Sequence, residues 1–354
     1  YNVTRQAGTA TLQITSDARI RTGQEVYASQ FITMDAGIDS TTPGDQYSGI
    51  GIVILGSSTA RTGSANSFIR LASQSGISIL ASATPTADTW NLRAADSGSS
   101  IELLLKDNSH STSRLQIDGR IIADDVITIS ATADSGVTSD ANIGASGELK
   151  SLSNSGQINL QWPGNVEIQG TVSANGDVLL TALSENLRVN PISRIDGAGV
   201  ITLSAGNNLT IDGPIGSIVA PHDLELTATD GSLIVTSESG RLAALQSVKI
   251  EASSVEFHGI LETTQLTSAA DDFELDITGG NVVLTGSITS VGSLRVTTPG
   301  DVDIHNFTGN LTSTVSNLRI SAGGDVNAGR LTLNSKNKWI AEPVLLQAGR
   351  EITI

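Results

Sequence analysis

The chain of 354 residues has no cysteine, so neither a disulfide nor a thiolate metal site can hold it together. Aromatic residues are only 3% of it and methionine occurs once, less than a large globular core normally buries. No run of 18 apolar residues is present, which removes a transmembrane helix from the reading. Basic residues are the scarce charge: 20 Lys and Arg stand against 36 Asp and Glu, a net charge of −16. That balance argues against nucleic acid, whose phosphates reward Lys and Arg, and against insertion into or adsorption on an anionic membrane. The opening Tyr1-Asn2-Val3-Thr4 carries no signal peptide and Glu351-Ile352-Thr353-Ile354 reads as a strand, so a longer parent chain is expected.

What is abundant is glycine, 36 residues, beside Ser, Thr, Ala and β-branched aliphatics. Small and β-branched residues suit a thin β core with tight turns. No sustained 3.6-residue periodicity appears, so helix is not expected. One pattern recurs instead: apolar, any, apolar, any, small. It is clearest at Ile201-Thr-Leu203-Ser-Ala205, Leu224-Glu-Leu226-Thr-Ala228 and Val248-Lys-Ile250-Glu-Ala252. From Trp162 onward its last residue falls at 162, 182, 205, 228, 252, 277, 298, 322 and 348, a period of about 24 residues. Upstream the anchors at Ser16, Ala36, Ser73, Leu105 and Ala131 are spaced less evenly. The reading is therefore of less regular coils with insertions over 1–161 and regular coils over 162–354, in one continuous solenoid.

Each copy is followed by turn formers, such as Gly206-Asn207-Asn208 or Pro299-Gly300-Asp301, and a second short apolar stretch such as Leu209-Thr-Ile211 or Val302-Asp-Ile304. A third element, glycine, any, apolar, follows at Gly119, Gly170, Gly240, Gly286, Gly309 and Gly329. Three strands and three corners in about 24 residues predict an all-β fold, a parallel β-helix (β-solenoid). A β-sandwich also has short strands at close spacing, but the three-part repeat and the scarcity of Trp and Tyr favour the solenoid.

Segments such as Gly199-Val-Ile-Thr-Leu-Ser-Ala-Gly-Asn-Asn-Leu-Thr-Ile-Asp-Gly213 resemble the repeats of filamentous-haemagglutinin-like adhesins and of giant repetitive bacterial surface proteins. The resemblance is clearest over 162–354. It implies an extracellular or bacterial cell-surface location. It also implies a structural, adhesive rod segment of a larger protein, part of a fibre or filament mediating attachment. Copies of itself, further coils of the same chain and surface glycans are the partners that follow.

The alternative is a β-helix polysaccharide hydrolase or lyase, in which clustered carboxylates would flank a scissile bond. Asp271, Asp272, Asp301 and Asp303 are its catalytic candidates, and Asp124-Asp125 is a further pair. Corner aspartate is, however, ordinary turn chemistry, and the Gly-His-Gly and Arg-any-Lys elements of pectin-hydrolase-like enzymes are missing, so no enzyme activity is expected. His110, His222, His258 and His305 show no ligand spacing, and no cofactor is expected. Asp45, Asp177, Asp301 and Asp325 are the candidates for a structural calcium ion between coils. The pentapeptide Thr-Thr-Pro-Gly-Asp occurs at 41–45 and 297–301 and reads as a reused corner. Asn2, Asn208, Asn306 and Asn310 stand in Asn-any-Thr sequons read as fortuitous, and Trp90, Trp162 and Trp339 are the few residues able to stack on a sugar.

Overall fold

The computed structural model describes residues 11–17, 19–22, 26–37, 50–55, 60–82, 89–106, 114–132, 140–216, 221–236, 240–263, 273–277, 280–289, 294–304, 307–309, 318–328, 331–333 and 344–353. Its strands form a parallel β-solenoid, and no helix occurs among the described residues. The pairings between strands are parallel, which excludes the antiparallel sandwich. The chain divides into two compact units, 1–185 and 186–354.

In the first unit each coil lays down a first strand, a second and a third. The first strands are Thr11–Ser16, Phe31–Ala36, Phe68–Ser73, Ser100–Leu105, Val126–Ala131, Gln157–Trp162 and Val178–Ala182. Alternation points every second side chain inward, and stacking turns those positions into columns. One column is Leu12, Ile32, Ile69, Ile101, Ile127, Ile158 and Val178. The next is Ile14, Met34, Leu71, Leu103, Ile129, Leu160 and Leu180, which gives the single methionine its place. Burying each such side chain contributes roughly 1.5–3 kcal/mol, and no coil can bury its own face alone. The uneven spacing of the copies is absorbed between strands: Ala36 and Ile52 end and begin successive strands in one coil, yet Ile32 still lies opposite Ile69. Arg70 and Glu102, paired at 2.8 Å, link neighbouring coils on the outside.

The second unit repeats the scheme with shorter corners. Asp223–Val235 and Ser247–Phe257 each run a first and a second strand together, with a register shift between Ala228 and Ser232. The second strands stack Leu187, Leu209, Leu233, Val255, Val282, Val302 and Val326 in one inward column. Among the described residues the third side at Ile215 consists of isolated bridges to Ile195 and Leu242. The third element expected at Gly309-Asn-Leu311 is displaced: the strand is Phe307–Gly309, in register with Leu331–Leu333, and Asn310 and Leu311 lie outside the described residues. The other third elements at Gly119, Gly170, Gly240 and Gly286 lead directly into strands.

The glycine of this third element has a steric cause. At the corner before the third strand that begins at Thr171 successive backbones nest, and a Cβ on Gly170 would lie 2.2 Å from the Gly147 carbonyl oxygen and 2.5 Å from that of Gly144. Gly170→Val is expected to cost about 3 kcal/mol, because the obstacle is backbone and cannot rotate aside. Denaturant unfolding followed by circular dichroism measures it.

Candidate functional site

The polar residues singled out by the sequence gather at the corner between first and second strands. In the second unit the residue directly before each second strand is Asn186, Asn208, Ser232, Ser254, Asn281, Asp301, Asp325 and Glu351. At this tight turn the backbone N–H of the corner residue points along the stacking direction and lies beyond the strand ladder. A short side chain with an oxygen acceptor, placed one coil below, satisfies it. The Asn208 N–H donates to Asn186 Oδ1 at 3.1 Å and the Ser232 N–H to Asn208 Oδ1 at 2.9 Å. Further along, the Asp301 N–H donates to Asn281 Oδ1 at 2.9 Å, the Asp325 N–H to Asp301 Oδ1 at 2.8 Å, and the Glu351 N–H to Asp325 Oδ1 at 3.1 Å. The first unit carries the same corner at Asp140 and Asn165, joined by Asn165 Nδ2 donating to Asp140 Oδ1 at 3.0 Å.

Arg350 closes the acidic part of this ladder. Its Nη2 reaches Asp301 Oδ1 at 2.5 Å and its Nε lies 3.3 Å from Asp325 Oδ1. The guanidinium thus occupies the side of the two carboxylates where a bridging cation would sit. The Asp325 N–H first, and Arg350 second, hold the Asp301 carboxyl below its ordinary value of 3.8, and the same contact pushes the Arg350 guanidinium up. The fold therefore favours the ionised carboxylate. Its contribution is complete above the ordinary carboxylate range and is lost as pH falls through the lower folded-state value. As pH falls below the ordinary carboxylate range, the stability gap between the native chain and Asp301→Asn is expected to close. Unfolding midpoints measured as a function of pH check it; a gap that stays constant would refute the assignment.

The other candidates fall as follows. Asp303 lies on the outward row of its second strand, in register with Val283 and Asn327. Asp271 and Asp272 lie outside the described residues, as do Asp45, His110, His305 and Trp339. Asp177 accepts Gln157 Nε2 at 3.1 Å and, through its carbonyl, the Ile158 N–H at 3.0 Å. Asp124 accepts the Gly98 N–H at 2.8 Å, and the Asp125 carbonyl accepts Ser151 Oγ at 2.6 Å, so this pair acts at a corner. His258 sits between Glu256, at 2.7 Å, and Thr285, at 2.5 Å, on the outer surface, and the His222 N–H donates to the Gly199 carbonyl at 2.8 Å. Among the described residues no three His, Asp or Glu side chains gather as a metal site would require. The second Thr-Thr-Pro-Gly-Asp makes the corner that delivers Asp301 to the ladder; the first lies outside the described residues. Of the sequon asparagines only Asn208 is described, and its Nδ2 already donates to Asn186 Oδ1 at 3.1 Å.

Sequence reasoning missed the concavities of the first unit, one of them beside Asp17, Asp35 and Lys106. A cleft of about 420 Å³ on the second-strand face of the first unit is lined by Arg114, Gln116, Asp140, Asn142, Asn165 and Glu167. These residues come from three coils and share one face only because Arg114 is in register with Asp140, and Asn142 with Glu167. Comparison with protein-family models, curated proteins and solved structures finds no match.

Proposed function

We propose that this chain is a structural and adhesive β-helical segment of a large extracellular or cell-surface protein. In this reading it works through its stacked architecture within a fibre or filament. Its partners are copies of itself or further coils of the same chain, with surface glycans as attachment targets. The observation that carries the reading is the use made of polar side chains. Asparagines and aspartates of the kind that build a reactive cluster instead cap the N–H groups of the next coil, from Asn186 to Asp325. A parallel stack also adds coils without changing its cross-section, because each coil presents the next with the same ladder.

The test pairs electron microscopy of the purified chain with incubation against a panel of polysaccharides. Fibres or ordered assemblies with no released reducing ends are the expected result. Cleavage abolished by Asp271→Asn or Asp303→Asn would overturn the reading in favour of a β-helix hydrolase or lyase.

A further inference from the structure

Successive coils of the first unit set polar side chains on one outer face as a small grid. One column holds Arg114, Asp140 and Asn165, the other Gln116, Asn142 and Glu167. Outward neighbours along a strand stand about 6.6 Å apart, and neighbours in adjacent coils about 4.8 Å apart. The grid walls the cleft of about 420 Å³. That volume falls in the range of roughly 300–1,000 Å³ usual for small-molecule sites. Such sites are mostly apolar, whereas the outward side chains here are all polar.

These groups are held in place without being used up. Asn165 Nδ2 donates to Asp140 Oδ1 at 3.0 Å, and Gln116 Nε2 donates to Asp118 Oδ1 at 2.8 Å. Arg114 is exposed and forms no ion pair with a described residue, although Asp140 stands in register beside it. Asn142 lies between Gln116 and Glu167 in its column, and its Oδ1 is buried with no hydrogen-bond partner. A buried acceptor left unpaired is costly. Rotation about the last side-chain torsion of Asn142 turns its amide to the cleft, where a ligand donor would satisfy it. The strands Arg114–Ile117 and Asp140–Ile143 are each paired on both sides. A ligand therefore cannot join the sheet as an added strand and must be held by side chains.

The donor set selects the ligand. Arginine only donates, the carboxylates only accept, and asparagine and glutamine do both. A row of hydroxyls, each of them donor and acceptor at once, is the chemistry that engages all of these groups. An acidic ligand would meet Arg114 but face the carboxylates of Asp140 and Glu167. The lining holds no aromatic ring, so a flat aromatic ligand has nothing to stack on. An apolar peptide side chain has no complementary wall.

We infer that this cleft is a binding site for a neutral saccharide, held by hydrogen bonds from the Arg114, Asn142 and Glu167 side chains. This rests on the reading of surface glycans as attachment targets and deepens it by naming the site and the class of sugar.

Isothermal titration of the full chain with cellotetraose, mannotetraose, galactotetraose and chitotetraose tests the inference, with trigalacturonate as the acidic comparison. At least one neutral tetrasaccharide is expected to bind, and Arg114→Ala and Asn142→Ala are each expected to weaken it at least about tenfold. Arg93→Ala, on the third-strand face, is expected to leave binding unchanged. Circular dichroism checks the fold of each variant. Because Arg114 is exposed, its removal keeps the test decisive if Asn142→Ala is unstable. Binding that both variants retain would overturn this site while leaving glycan attachment standing. No binding of any neutral tetrasaccharide, with fibres still seen by electron microscopy, would overturn the inference and leave the rod reading standing. Preference for trigalacturonate would overturn the neutral class. Cleavage of the titrated saccharide would overturn the structural reading itself.

Discussion

Leu226→Asp is expected to destabilise the second unit by about 4 kcal/mol. Leu226 is buried, with Leu203 in register on one side and Ile250 on the other. A carboxylate there would face aliphatic side chains above and below, so the chain must either desolvate a charge or open the coil to water. Against a total stability of order 5–15 kcal/mol for a typical domain, that loss is a large share. The neighbouring Glu225 points outward and is exposed, and Glu225→Ala is expected to change stability by no more than about 0.5 kcal/mol. Denaturant unfolding of the two variants side by side tests the strand's inside–outside alternation at single-residue resolution. Similar losses for both would mean that the register is wrong.

Trp162→Ala is expected to cost about 3–5 kcal/mol in the first unit. Trp162 is 1% exposed and occupies the last inward position of its strand, where the following coil holds Ala182 and the preceding strand ends in Ala131. The indole thus fills space that small residues above and below leave open. Truncating it leaves a cavity that neither alanine can fill. Urea unfolding measures the loss, and Trp162→Phe is expected to recover part of it.

Much of this architecture was legible in the sequence because period-two alternation at a nearly constant interval admits few folds. From Ile201 to Ala252 the three copies of the motif translate directly into neighbours in register. Before Trp162 the same columns exist, but the spacing from Ala36 to Ser73 and on to Leu105 hides them. Only pairing shows that Ile32, Ile69 and Ile101 belong together. The glycines of the third element were recognised by recurrence, while their cause, the approach of successive backbones at Gly147 and Gly170, needed coordinates. The corner ladder escaped recognition for a chemical reason. The turn demands an acceptor oxygen on a short side chain, and Asn, Ser and Asp all supply one, so no single letter repeats. Asp301 and Asp325 were visible as corner aspartates, but nothing local announced that Arg350, in a later coil, would bridge them.

The narrow passage at Ile215 has a mechanical consequence. Tension along the stacking direction is carried across each boundary between coils by the hydrogen bonds of all three sides acting together, while successive boundaries bear the load in series. Such an arrangement yields at its least-bonded boundary. Among the described residues the third side at Ile215 offers a single bridge on either face, leaving the first and second strands to bear most of the force there. Under pulling, lengthening the third side at that boundary into a full strand is expected to raise the force it withstands.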